Sequence, residues 1–333
     1  MTILVAGGLG YIGSHVVREF VRAGRGSDVV VVDNLATGFR AACDASSVRA
    51  VVIADVSDEA CMEQVFAEHA PVTAVVHLCA LSIVGDSVRR PLEYYERNVG
   101  ATTALLAVAQ RHGVTQIVFS STAAVYGEPE RTPIDEDAPK RPLNPYGKTK
   151  LCIEGLLHDC EAAYGMRAVS LRYFNACGAD RDGDIGEAHD PETHLIPLVL
   201  RVAAGHAPHI GIFGDDFPTP DGTAVRDYVH VTDLAKAHIL AVDHLAAGGA
   251  STACNLGSAG GHSVRQVIDA ARRITQHPIP AVVQARRAGD PAVLTASTAR
   301  AADVLGWKPE HSLDDIIASA WQWHRSHPDG FTA

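Results

Sequence analysis

The sequence predicts an α/β fold, a doubly wound parallel sheet carrying a smaller C-terminal α/β lobe. Three observations predict it. Short β-branched runs alternate with helical patterns through the first half. Glycines 7, 10 and 13 follow the first apolar run directly. The chemically capable residues sit just past the ends of the strand candidates, where open parallel sheets bind ligands.

Each element follows in order. Strands are expected over residues 2–6, 28–32, 48–53, 73–77, 115–119 and 167–172, and helices near 11–23, 58–69, 92–112 and 145–164. Strand alternating with helix implies right-handed crossovers and a parallel sheet. The strand ends carry Gly7, then Asp33, then Asp55, then Leu78-Cys79-Ala80, then Ser120-Ser121-Thr122, and last Tyr173-Phe174-Asn175. After residue 175 the pattern changes: residues 176–192 read as a loop rich in Gly, Asp and Glu, and shorter elements follow. The expected division is 1–175, a dinucleotide-binding (Rossmann) domain that includes the Tyr146 helix, and 176–333, mainly a substrate lobe, with some segments returning to the first domain.

The first turn carries the cofactor reading. Gly7, Gly10 and Gly13 allow a sharp turn and close approach of the backbone to a pyrophosphate. The helix start then offers free N–H groups and a positive dipole end. Val29-Val30-Val31-Val32 ends in Asp33-Asn34. A carboxylate there accepts from the adenosine ribose hydroxyls and repels a 2′-phosphate, so NAD is favoured over NADP.

Tyr146 and Lys150 carry the chemistry. Four residues apart on a helix, they share one face. An ammonium beside a phenol favours the phenolate, so the spacing predicts a lowered tyrosine pKa and proton exchange with a sugar or alcohol hydroxyl.

Composition bounds the rest. A chain of 333 residues suits two domains, or one with an appended lobe. The net charge of −11 disfavours nucleic acid and anionic membranes as partners. The N-terminus reads as a strand with no leader, and no apolar run approaches a membrane span. Seven scattered cysteines without a Cys-x-x-Cys pair suggest reduced thiols in the cytoplasm. No metal is expected. The 17 histidines include no His-x-x-x-His spacing, and Pro208 separates His206 from His209.

With these residues in hand, nearly the whole chain resembles the extended short-chain dehydrogenase/reductase superfamily and, within it, the UDP-glucose (UDP-galactose) 4-epimerase family. The glycine turn and Tyr146-x-x-x-Lys150 are shared across the superfamily. More specific are Asp33-Asn34-Leu35, Ser120 to Gly127, Leu171-Arg172-Tyr173-Phe174-Asn175 and Glu192 to Pro197. Most specific is Phe213 to Val231, similar almost throughout to the sugar-nucleotide segment of that family.

The resemblance implies roles. Tyr146 takes the proton from the sugar 4-hydroxyl while hydride passes to a tightly held NAD. Lys150 holds Tyr146 ionised and bonds the nicotinamide ribose. Thr122 bonds the 4-oxygen. Cofactor contacts fall on Gly7, Gly10, Tyr11, Ile12 and Gly13; on Asp33, Asn34, Leu35, Thr37 and Gly38; on Asp55, Val56, Leu78, Cys79, Ala80 and Ser82; and on Asn98, Ser120 and Phe174. The UDP-sugar falls to Ser82, Asn175, His194, Leu195, Ile212, Phe213, Arg226, Tyr228, Arg287 and Asp290, beside Tyr146 and Thr122. Arginine clamps a diphosphate by charge-assisted, bidentate contacts. A homodimer through helices near 92–112 and 145–164 is also implied.

The bland readings are an Arg226–Asp227 surface pair, a solvated Arg287, a turn-capping Asn175 and a Thr122 bonded to main chain. Two departures bear on specificity. Ser82 stands where some of these epimerases carry lysine, and Gly289-Asp290-Pro291-Ala292-Val293-Leu294 offers small or aliphatic residues near the expected sugar 2-position, which would admit N-acetylated hexoses. A 4,6-dehydratase needs an acid–base pair where Ala123 and Ala124 stand. UDP-glucuronate and UDP-pentose epimerases remain alternatives, and a non-catalytic sensor would lack Tyr146 or Lys150.

Overall fold

The computed structural model describes residues 1–258, 260–287 and 290–331. Its centre is a parallel sheet of seven strands: β1 Thr2–Ala6, β2 Val29–Asp33, β3 Ala50–Ile53, β4 Val72–His77, β5 Gln116–Thr122, β6 Arg167–Tyr173 and β7 Thr252–Leu256. The spatial order is β7-β6-β5-β4-β1-β2-β3. The order reverses between β1 and β4, and a ligand crevice opens at such a reversal. Strand ends shift by one or two residues from the sequence reading in β2, β3, β4 and β6, and two differences are larger. β5 runs three residues beyond 119, to Thr122, and β7 comes from the second half of the chain.

Both faces of the sheet are covered, which is why β1 and β2 are buried at every position. Alternate residues go to opposite sides. Ile3, Val5, Val29 and Val31 pack with Val16, Phe20, Leu234 and Val242 under helices Tyr11–Arg22 and Val231–Ala246. Leu4, Ala6, Val30 and Val32 pack with Phe66, Leu105, Ile153 and Leu157 under helices Glu59–Glu68, Ala101–Arg111 and Pro145–Tyr164. The expected helix near 92–112 is interrupted. Pro91–Tyr94 is α-helical, Tyr95–Gly100 widens to a π-turn, and Ala101–Arg111 resumes the α form. Such bulges recur at functional sites, and this one holds Asn98.

The second lobe has its own core, in which Ile196, Leu200, Ile268, Ile317 and Tyr228 meet. It carries three small sheets. Asn175–Cys177 pairs with Tyr228–His230, Ile210–Phe213 with Ala281–Gln284, and Val225–Arg226 lies between His262–Ser263 and Val293–Leu294.

Candidate active site

The glycine turn fits a pyrophosphate. Gly7 has φ +82°, and a Cβ there would stand 2.9 Å from the Cys79 amide nitrogen. A Cβ on Gly13 would fall on the Gly7 carbonyl oxygen. The helix Tyr11–Arg22 starts with Gly10, no side-chain cap and no acid in its first turn. Its first amides therefore face the crevice without an internal acceptor. Gly13→Ala should force this turn open, weaken NAD binding and cost about 1–3 kcal/mol. Nucleotide released on denaturation, with the thermal midpoint, checks it.

Asp33 is 6% exposed at the end of β2. One carboxylate oxygen accepts from Leu9 N at 2.9 Å and the other from Leu35 N at 2.8 Å. Each keeps lone pairs for ribose hydroxyls. Leu35 sits at φ +60°, and a Cβ on Gly38 would stand 2.8 Å from Asp33 Oδ1. Both residues shape the approach to that carboxylate. Asp55 accepts from Ser57 N and Oγ and from Asn34 Nδ2, which holds its pKa below the usual range against burial. Val56 is buried beside it, and Thr37 is exposed. Tyr11 donates its hydroxyl to Gly178 O at 2.7 Å, so it ties the turn to the second lobe. Ile12 is half-buried against the sheet core.

Leu78 continues from β4, its amide donating to Ala6 O at 2.8 Å, and Cys79 follows against Gly7. Burial pushes the Cys79 thiol well up. Asn98 acts through the next stretch. Its Oδ1 accepts from Leu81 N and its Nδ2 donates to Leu81 O, which holds the loop of Ala80 and Ser82, while a second Nδ2 bond to Thr149 Oγ1 ties that loop to helix Pro145–Tyr164.

Tyr146 lies in the first turn of Pro145–Tyr164. Asn144 caps that helix by accepting from Gly147 N at 2.9 Å, Pro145 occupies its first turn, and Gly165 ends it at φ +72°. A Cβ on Gly147 would stand 2.6 Å from Ala124 O, so the glycine lets the helix approach the Thr122 loop. Thr122 closes β5, and its Oγ1 accepts from Ala124 N at 3.1 Å, leaving its hydroxyl proton to donate.

The expected lowering of the Tyr146 pKa does not occur in this state. Burial pushes the phenol up to about 12, Thr122 pulls it down, and Tyr94 adds to the rise. Lys150 Nζ lies 5.9 Å from the Tyr146 ring centroid but donates to Ser120 O at 2.7 Å. Sequence spacing gave the proximity and could not give the burial. Burial likewise lowers Lys150 from 10.5 to about 8.

That lowering has a sign. Between about 8 and 10.5 the unfolded chain binds the extra proton, so stability rises with pH there; the cost is complete below about 8. At ~1.4 kcal/mol per pH unit the cost is on the order of 3 kcal/mol. Lys150→Met orphans Ser120 O, so the cofactor-free variant should gain about 1–2 kcal/mol at pH 7. The gain should shrink above pH 8 while turnover is lost, which denaturation midpoints at several pH values would show.

Behind Tyr146 runs a buried polar chain. Arg172 donates to both Glu154 oxygens, at 3.0 and 2.7 Å, and to the Tyr126 hydroxyl at 2.7 Å. Ser121 donates to Glu154 at 2.5 Å, and Tyr126 to Asn255 Oδ1 at 2.7 Å.

In the second lobe, Arg226 pairs with Asp290 at 2.5 Å and not with Asp227. Asp227 is buried and accepts from Ala296 N and Ser258 Oγ. The Arg287 guanidinium lies 3.9 Å from the Phe213 centroid, at the end of the Ile210–Phe213 strand that also carries Ile212. Arg286 is engaged elsewhere, with Asp216 and Phe217. Asn175 has an exposed side chain, while its amide donates to Asp227 O at 2.9 Å. Tyr228 is buried on the neighbouring strand. His194 precedes helix Leu195–Ala203 and pairs with Glu187. Phe174 packs beside Tyr126. Gly289 lies outside the described residues.

The model of the NAD dependent epimerase/dehydratase family matches residues 3–257. The chain belongs to this family. Among its relatives, the UDP-glucose 4-epimerase of Lacticaseibacillus casei is 51% identical over 332 residues, 99% of each chain. A crystal structure of a UDP-glucose 4-epimerase superposes with a TM-score of 0.97 at 47% identity, covering 100% of both chains. The UDP-glucose 4-epimerase of Bifidobacterium longum, in complex with NAD+ and UDP, gives 0.90 at 40% identity over 99% of this chain and 100% of its own. Like those of the family, this chain is an NAD-dependent enzyme on a Rossmann-type sheet.

Proposed function

We propose that the chain is a UDP-glucose 4-epimerase, interconverting UDP-galactose and UDP-glucose through a 4-keto sugar. The supporting observation is that Gly7, Asp33 and Thr122 stand at the same edge of the parallel sheet, at the ends of β1, β2 and β5, with the helix of Tyr146 and Lys150 packed on the Thr122 loop through Gly147 and Ala124. NAD, when bound, supplies the acceptor and donor of hydride at C4. Tyr146 takes the 4-hydroxyl proton and later returns it. Thr122 holds the 4-oxygen, and Lys150 keeps positive charge beside both. Arg226, Asp290, Arg287, Asn175 and Leu195 grip the nucleotide, so the sugar is free to turn over between the two transfers. Ala123 and Ala124 cannot move protons, which disfavours dehydration.

Two further assignments belong to this reading. Val88, Leu92 and Tyr95, together with Tyr164 of the long helix, leave apolar surface exposed, Leu92 at 85%. That surface suits a homodimer through these helices. Among the described residues no helix is long and apolar enough to cross a membrane. All seven cysteines are free, in keeping with the cytoplasm.

The test supplies UDP-galactose without added NAD and follows the sugar by NMR. UDP-glucose should appear and stop at an equilibrium mixture. No conversion, even with NAD supplied, would overturn the assignment. The same assay reads a second substrate. Val293 and Leu294 run beside Val225 and Arg226, placing small or aliphatic residues at the nucleotide-gripping strand. UDP-N-acetylglucosamine should therefore turn over, and its inertness beside active UDP-galactose would remove that extension.

A further inference from the structure

We propose that Glu187, His189, Glu192 and His194 bind a divalent transition-metal ion, zinc by its donor chemistry. One ligand atom from each lies within 4.8 Å of all the others. The Glu187 side chain is 3% exposed and sits between two imidazoles, accepting from His189 Nδ1 at 3.0 Å and from His194 Nδ1. Glu192, whose side chain is 6% exposed, supplies the second observation. Its Oε1 accepts from Thr193 N at 2.6 Å and His194 N at 2.7 Å. Its Oε2 has no hydrogen-bond partner among the described residues and faces His189 Nδ1 at 3.9 Å. The largely buried Glu192 side chain thus leaves one carboxylate oxygen turned to the group and without a hydrogen-bond donor among the described residues.

Charge and softness choose the ion. Once the ion displaces the proton that His194 shares with Glu187, two carboxylates and two neutral imidazoles present two negative charges, and a divalent cation balances them. Two nitrogen donors disfavour magnesium and calcium, which prefer all-oxygen sites, and suit zinc in a four-coordinate arrangement. The Glu187–His hydrogen bonds would give way to coordination, with the Nδ1 lone pairs turned to the metal. Ligand bonds of about 2.0–2.2 Å require only a small closing of the present group.

The surroundings hold these donors in place. Glu187 O accepts from Trp323 Nε1 at 3.0 Å, and the His189 ring meets Tyr11 edge-on at 5.9 Å between centroids. His194 leads into helix Leu195–Ala203. An ion here would therefore pin the nucleotide turn, through Tyr11, to the first turn of that helix.

Cobalt tests the site in the NAD-bound protein. After treatment with a chelator and desalting, Co²⁺ should bind at one equivalent per chain, show the visible bands of four-coordinate cobalt, and be displaced by one equivalent of Zn²⁺. His189→Asn and Glu192→Gln should each weaken binding roughly 100-fold and abolish the bands, with circular dichroism and NAD content retained. If Glu192→Gln fails to fold, His189→Asn decides alone, since its side chain is 30% exposed. Absence of bound cobalt, or bands unchanged by His189→Asn, would overturn the proposal and leave a metal-free ionic cluster.

Discussion

Tyr146→Phe should lower kcat by roughly 10²–10⁴-fold while the fold and the bound nucleotide survive. On the proposed reading, the phenol is the group beside the end of β5, among the described residues, that exchanges a proton with the sugar hydroxyl. Lys150 is committed to Ser120 O, and Thr122 can donate a hydrogen bond but cannot serve as a base. Removing one oxygen from this half-buried ring changes little volume, so packing is spared. KM should change little if, as proposed, the nucleotide is gripped by Arg226 and its neighbours rather than by Tyr146. Conversion of UDP-galactose by NMR, with nucleotide content and circular dichroism as controls, checks this. Activity within tenfold of the parent would remove Tyr146 as the acid–base group.

The contrast between that tyrosine and its surroundings shows what a sequence exposes. Gly7, Asp33 and Thr122 are legible because they follow apolar runs, and the sheet topology converts adjacency in sequence into a shared crevice. β7 was not placed in the sheet by sequence. Thr252-Ala253-Cys254-Asn255-Leu256 is short, polar in part and far from its partner β6, so no local period separates it from a loop. The π-turn at Tyr95–Gly100 is likewise silent in the apolar pattern. Glu187, His189, Glu192 and His194 escape a search for His-x-x-x-His because their spacing is two, three and two residues along a loop, which only the folded backbone gathers. Glu154 reads as an ordinary helix carboxylate; its side chain is 10% exposed only because β6 brings Arg172 against it.

That pair carries the second large effect. Arg172→Met should destabilise the protein by about 3–5 kcal/mol, because it leaves the Glu154 carboxylate buried with Ser121 as its remaining donor. The loss also orphans one side of the Tyr126 hydroxyl, which Arg172 now serves with a 2.7 Å bond. Neutralising both charges is gentler than breaking the pair, since two apolar side chains leave no uncompensated ion. The double variant Arg172→Met/Glu154→Leu should therefore be more stable than Arg172→Met alone, and a thermodynamic cycle of urea midpoints would report a coupling of about 1–3 kcal/mol. Glu154 stands one helical turn beyond Lys150 and two beyond Tyr146, so the pair fixes the helix that carries both proposed catalytic side chains. Residual activity of the folded single variant should fall far less than in Tyr146→Phe, because the pair positions the helix and touches no reacting atom. A loss of stability below about 1 kcal/mol in Arg172→Met would show that Glu154 finds water or another donor, and that this buried chain does not hold the helix in place.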